Sequence, residues 1–220
     1  MMQIVDLTHE ISNETPVFHT YVKPMIRDWT TLDLHGFRSK LFMLVEHTAT
    51  HVDATAHFIK DGEYIDQEPL DHFFGPAVLL DLRKYARKNH AFSQEEISNA
   101  EKEAGVDVHQ KIVLLWTAWD AYWGKDEFWN NPGLSKGAAE YFKKKKVKAV
   151  AADIGSMDTG DSTSFPAHHT LLGAGINIFE SLTNLSELSK REFLFSAVPL
   201  KIRQGTASPV RAIAVTGVNW

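Results

Sequence analysis

The chain has 220 residues, 44% hydrophobic and 23% charged, with a net charge of −5 and no cysteine. That length suits one substantial core, and the ordinary composition excludes a disordered or fibrous chain. The negative balance gives no general attraction to nucleic acid or anionic membranes, and the lack of cysteine excludes disulfides, thiolate zinc sites and cysteine nucleophiles.

No stretch reaches the roughly 18 apolar residues of a membrane span. The opening Met-Met-Gln-Ile-Val-Asp-Leu-Thr-His carries neither a basic region nor a signal-length apolar run. The expectation is a single domain over 1–220, cytoplasmic, with no nucleic-acid or membrane partner.

Along the chain, alternation predicts a strand over 41–46. Short apolar runs predict strands over 77–82, 112–116 and 149–154, and then over 176–180, 193–202 and 210–218. Ser93-Gln94-Glu95-Glu96 is a capping box ahead of a helix over 97–104 that Gly105 ends. Ser135 caps a second helix running to about Lys146, where the lysine run complements the helix dipole. A short helix is expected over 169–172, before Gly173-Ala174-Gly175. The class is α/β, strand-rich with few helices.

The segment from His47 to His57 places His47, His51, Asp53 and His57 at offsets 0, 4, 6 and 10. Imidazole nitrogens and carboxylate oxygens are the ligands zinc and manganese take from proteins. On one regular strand these side chains would span about 33 Å, and one helix would group only His47 with His51. The chain is therefore expected to leave regular structure after strand 41–46 and fold into a tight loop. Downstream, His168 and Glu180 offer a second ligand set with Asp53 bridging, because a carboxylate has two oxygens. The residues alone leave the His168-His169 pair open between ligand and surface feature. Trp116 to Trp123 is dense in aromatics; Trp119 and Phe18 are candidates to contact a substrate, with core packing as the alternative. Asp158 reads as a turn residue.

The segment 47–57 resembles the His-x-Gly-Thr-His-x-Asp-x-Pro-x-His motif of the cyclase family, which includes bacterial kynurenine formamidases and isatin hydrolases. Asp6-Leu7-Thr8-His9, Gly75-Pro76-Ala77-Val78-Leu79-Leu80-Asp81 and Ala167-His168-His169-Thr170 through Glu180 resemble its other signatures. The resemblance implies a swivelling β/β/α fold and a metal-dependent amide hydrolase that is homodimeric or larger. By position it implies one metal on His47, His51 and Asp53, and a second on Asp53, His168 and Glu180. The metals would be two zinc ions, with manganese as the alternative. His57 would be the general acid/base.

The implied substrate is a small aryl amide such as N-formylkynurenine, hydrolysed to kynurenine and formate in tryptophan catabolism. A cyclic amide such as isatin, or a lactone, is the alternative. A metal-holding relative without turnover is the alternative of another class. Two positions depart from the motif: Ala49 replaces its glycine and Thr55 its proline.

Overall fold

The computed structural model describes residues 1–217; Val218, the end of the sequence-predicted strand 210–218, lies outside them. In chain order the elements begin with β1 (Gln3–Asp6), β2 (Met25–Thr30), α1 (Leu32–His35), β3 (Ser39–Met43) and β4 (His51–Asp53). Next come β5 (Phe74–Asp81), β6 (Ala91–Phe92), α2 (Gln94–Ala104), β7 (Ile112–Trp116), β8 (Gly133–Leu134) and α3 (Lys136–Lys145). The chain continues through β9 (Ala149–Ala152), α4 (Pro166–Leu172), β10 (Asn177–Glu180), β11 (Glu192–Ser196), β12 (Ala207–Pro209) and β13 (Ile213–Thr216).

Nine strands form one sheet in the order β1-β13-β11-β5-β7-β9-β10-β4-β12. Its centre, β5-β7-β9-β10, is parallel. Parallel neighbours need crossover connections, which α2, α3 and α4 supply. All three helices pack on one face, where Ile97, Phe142 and Leu171 meet Val78, Leu80, Val113 and Val150. On the other face Leu79, Leu114 and Phe179 pack with Phe73, Phe193 and Phe195. Successive residues of β5 thus enter opposite cores, as the period of two requires. A parallel sheet covered on both faces reads as uninterrupted apolar sequence, which is why these strands were plain in the chain.

The expected helix ends are present. Ser93 accepts from Glu96 N–H, the Glu96 carboxylate accepts from Ser93 N–H, and Gly105 closes α2 in the left-handed region. The Ser135 hydroxyl caps α3. Helix α4 starts three residues earlier than expected, because Pro166 takes its first position with φ already set; His168 thereby becomes helical. Strand β11 ends at Ser196 rather than 202, since the run continues into Pro199, which has no N–H for a ladder. Strand β9 ends at Ala152, and the next carboxylate, Asp153, accepts from the backbone N–H of Thr117 and Ala118 instead. Strand β3 stops at Met43, so a turn and not a strand delivers His47.

Among the described residues β2 and β3 pair only with each other and form an antiparallel ribbon. Both its ends run into the site, β2 arriving from Phe18 and Tyr21 and β3 leading to His47.

Candidate metal centre

Strand β4 lies between β10 and β12. His51 and Asp53, two residues apart, face the same side of the sheet, and Glu180, the last residue of β10, stands directly opposite His51. Three potential ligands thus meet through pairing of two short strands. The preceding turn adds His47, and the first turn of α4 adds His168. The irregular loop expected after His47 is partly regular: a three-residue strand, then a 3₁₀ turn over Thr55–His57.

The donor atoms converge. His47 Nδ1 lies 2.8 Å from Asp53 Oδ1, His51 Nε2 3.3 Å from the same oxygen, and His168 Nε2 3.6 Å from Asp53 Oδ2. Glu180 adds Oε1 at 3.1 Å from His168 Nε2 and Oε2 at 3.6 Å from His51 Nε2. Both Asp53 oxygens are buried and receive no aligned hydrogen bond, although a buried carboxylate left unpaired is costly. The imidazoles are held from behind. His51 Nδ1 donates to the Ala49 carbonyl at 2.8 Å, and His168 Nδ1 to Asp158 Oδ2 at 2.6 Å. Each outward nitrogen keeps its proton on an acceptor, so the inward nitrogen is the one whose lone pair a cation would take by displacing its proton.

Two ligands about 2.0–2.1 Å from a tetrahedral zinc stand roughly 3.3 Å apart, and these separations bracket that value. His47, His51 and Asp53 form one candidate ligand group, and Asp53, His168 and Glu180 a second. The residues fit one or two divalent cations. Their charge points the same way. Burial resists a charged His51, but the Asp53 and Glu180 carboxylates overcome it and raise its pKa to about 9. His168 shifts well upward in the same manner, against burial and with Asp158, Asp53 and Glu180.

His57 stands apart from both ligand groups. Its ring centroid is 4.0 Å from that of His47, and it lines the cleft above the donors. Burial pushes its pKa down to about 4, against the opposing pull of Asp53, so the ring is neutral at pH 7. The cleft, about 660 Å³ of space including its open mouth, is walled by Phe18, Tyr21, Phe58, Trp123, Trp129 and Phe165. Phe18 meets the edge of Trp129 at 5.8 Å between centroids. Gly155 lets the wall close, because a Cβ there would lie 2.9 Å from Phe128 and 3.0 Å from Trp129.

The sequence-predicted ligands His47, His51, Asp53, His168 and Glu180 are brought together, and His57 and Phe18 face the same space. Trp119 does not. It is packed in the core with its indole N–H on the Phe128 carbonyl, and Trp123 and Trp129 take the wall positions instead. A 3₁₀ turn over Trp119–Tyr122 decides which indole faces in, and no periodicity announces it. Asp158 is more than a turn residue: it accepts from Ala167 N–H, His168 N–H and the His168 ring. Its chain distance from His168 hid that role.

Both motif departures have a local account. Ala49 sits at φ 55°, where glycine is permissive and alanine costs about 1 kcal/mol, and its carbonyl holds His51. Thr55, unlike proline, has an N–H, which it donates to the buried Glu68 carboxylate at 2.8 Å, while its hydroxyl accepts from Glu63 N–H at 2.7 Å.

A family model described as "Cyclase" matches residues 5–159. A kynurenine formamidase of Salinibacter ruber is 31% identical over 224 residues, covering 96% of this chain and 97% of its own. An isatin hydrolase of Roseibium aggregatum is 28% identical over 241 residues, covering 97% and 92%. The crystal structure of an isatin hydrolase bound to the product analogue thioisatinate superposes with a TM-score of 0.92 at 27% identity, covering 98% of this chain and 92% of that one. The fold is therefore the one the motifs implied, and the chain belongs to the cyclase family, homologous to kynurenine formamidases and isatin hydrolases.

Proposed function

We propose that this protein is a metal-dependent hydrolase of a small aryl amide. The observation that carries the reading is a five-residue donor set, with a buried and otherwise unpaired Asp53, at the floor of an aromatic-walled cleft. His47, His51 and Asp53 would hold one cation and Asp53, His168 and Glu180 a second, zinc or manganese by ligand type. A cation so held supplies Lewis acidity, acidifying water and polarising a carbonyl.

The chain's own residues do the rest. The neutral His57 ring takes a proton from the attacking water and returns it to the departing nitrogen. Phe18, Trp123 and Trp129 stack on the aryl ring and exclude bulk water. The Tyr21 hydroxyl, its pKa pushed up to about 12 by burial and the nearby carboxylates, stays protonated as a donor.

An arylformamide such as N-formylkynurenine, the substrate that the relatives' name suggests, is the first reading. A cyclic aryl amide or a lactone is the second, and one feature favours it: no Lys or Arg occurs among the described residues that line the cleft. A free amino-acid carboxylate would find no cation there, whereas a neutral fused ring needs none. The test compares N-formyl-L-kynurenine, formanilide and isatin on the zinc- or manganese-loaded protein. Isatin turned over at higher kcat/KM than both formanilide and N-formyl-L-kynurenine supports the cyclic-amide reading. Preference for N-formyl-L-kynurenine restores the first. Stoichiometric metal with no turnover of any amide or lactone would assign the chain to the inactive metal-binding class.

We also propose that the protein acts as a homodimer held by the β2-β3 ribbon. Trp29, Leu34, Phe37, Phe42 and Met43 are exposed on the ribbon and its tip. Phe42 and Met43 are adjacent in β3 and so face opposite sides of the ribbon, which leaves apolar surface on both faces open to a second copy. A two-stranded ribbon is marginal alone in water, and a second copy pairing about a twofold axis buries the same area on both sides.

A further inference from the structure

His51 and His168 rest on a carbonyl and a carboxylate, which are acceptors only and so fix the ring proton. The outward nitrogen of His47 instead meets a hydroxyl: Nε2 lies 3.3 Å from Thr206 Oγ1. A hydroxyl both donates and accepts, and alone it leaves the tautomer of His47 undetermined. The next residue in the chain of contacts removes that freedom. The Glu46 carboxylate accepts both from Thr206 N–H, at 3.0 Å, and from the Thr206 hydroxyl. With its proton committed to Glu46, the hydroxyl oxygen can only accept from His47 Nε2–H, which leaves Nδ1 bare and facing Asp53.

The surrounding loop is built for this contact. The Thr206 carbonyl accepts from Ala54 N–H at 2.9 Å, tying the loop to the end of β4. Gly205 has no Cβ, and one built there would stand 3.0 Å from Glu46 Oε2, in the space the carboxylate occupies.

We propose that Glu46 is a positioning residue: through the Thr206 hydroxyl it fixes the proton of His47 on Nε2 and so presents Nδ1 to the metal. Glu46 touches neither metal nor substrate, and its effect passes entirely through Thr206. The inference rests on the metal reading of the site and not on any hydrolytic activity.

The test measures zinc affinity of the apo chain by chelator competition, for wild type, Thr206→Val, Thr206→Ser, Glu46→Leu and the Glu46→Leu/Thr206→Val double variant. Loss of an outer partner of a metal-binding histidine costs about 10–100-fold in affinity. That loss is expected for Thr206→Val and for Glu46→Leu. Thr206→Ser, which keeps the hydroxyl, should return to within about threefold of wild type, and the double variant should bind no worse than Thr206→Val.

Wild-type affinity in Thr206→Val, failure of the serine variant to rescue, or additive losses in the double variant each overturn the proposal. Long-range ¹H–¹⁵N spectra of the zinc-loaded wild type test it without any variant. His47 protonated on Nε2 and coordinated through Nδ1 supports it; the opposite tautomer overturns it. A wild-type chain that binds no zinc or manganese overturns both this proposal and the function proposed above, whereas metal binding without hydrolysis leaves this one standing.

Discussion

Thr55 shows how a motif departure is absorbed by its neighbours. Proline has no N–H, so the buried Glu68 carboxylate that accepts from Thr55 would lose a donor if proline were restored. Thr55→Pro is expected to destabilise the fold by about 1–3 kcal/mol, the penalty of an unsatisfied buried acceptor. Adding Glu68→Leu should recover most of it. Denaturant melts of the three variants check this, and a neutral single variant contradicts it.

His9 is a second residue with a definite sign. Its ring stacks on Trp123 at 3.9 Å with Nε2 buried and unpaired, and burial pushes its pKa down to about 4 against the pull of Asp120. The folded pKa lies below the usual 6.5, so the unfolded state binds more protons in between, and stability is lost as pH falls from about 6.5 to 4. His9→Phe keeps the stack and cannot titrate; its Tm should fall less than that of wild type across that window. Parallel Tm curves would refute the assignment. At this scale the chain was partly legible. The ligand types and offsets were plain, but Glu46, Thr206 and Asp158 act through folding contacts across 10 to 160 residues, which no local pattern records.

Among the elements, the parallel strands and capped helices were readable because each obeys a local rule: continuous apolar runs under two-sided burial, a capping box, a terminal glycine. β4 and β12 were not. Each is three residues long, shorter than any period can be read, and their place in the sheet comes from pairing with β10 and with each other.

α4 lies between these cases. Its start carries no local sequence signal, because its N-terminal amides are satisfied by Asp158 from outside the helix, not by an adjacent Ser or Asp. One carboxylate thus caps the helix and orients His168. Asp158→Ala is expected to weaken zinc binding by about 10–100-fold and to cost the apo protein about 1 kcal/mol as a lost cap. Calorimetric titration and melting of the same variant read the two effects separately. Unchanged affinity would confine Asp158 to capping.

For the whole molecule, the exposed ribbon and the cleft are joined through short connections, four residues or fewer from Tyr21 to β2 and from β3 to His47. Light scattering on the full chain should give twice the monomer mass, and Leu34→Asp with Phe42→Asp should shift it to monomer. A wild-type monomer at micromolar concentration contradicts the dimer. Among the described residues no helix is long and apolar enough to cross a membrane.

The proposed function requires the His/Asp/Glu centre to drive hydrolysis of an aryl amide. The most direct measurement is release of product from formanilide, isatin and N-formyl-L-kynurenine by the zinc- or manganese-loaded protein, with and without chelator. Turnover of at least one substrate is expected at kcat/KM on the order of 10⁴ M⁻¹s⁻¹ or more, abolished by chelator and restored by metal. Metal bound in full with no turnover of any of the three, or turnover indifferent to chelator, would contradict it.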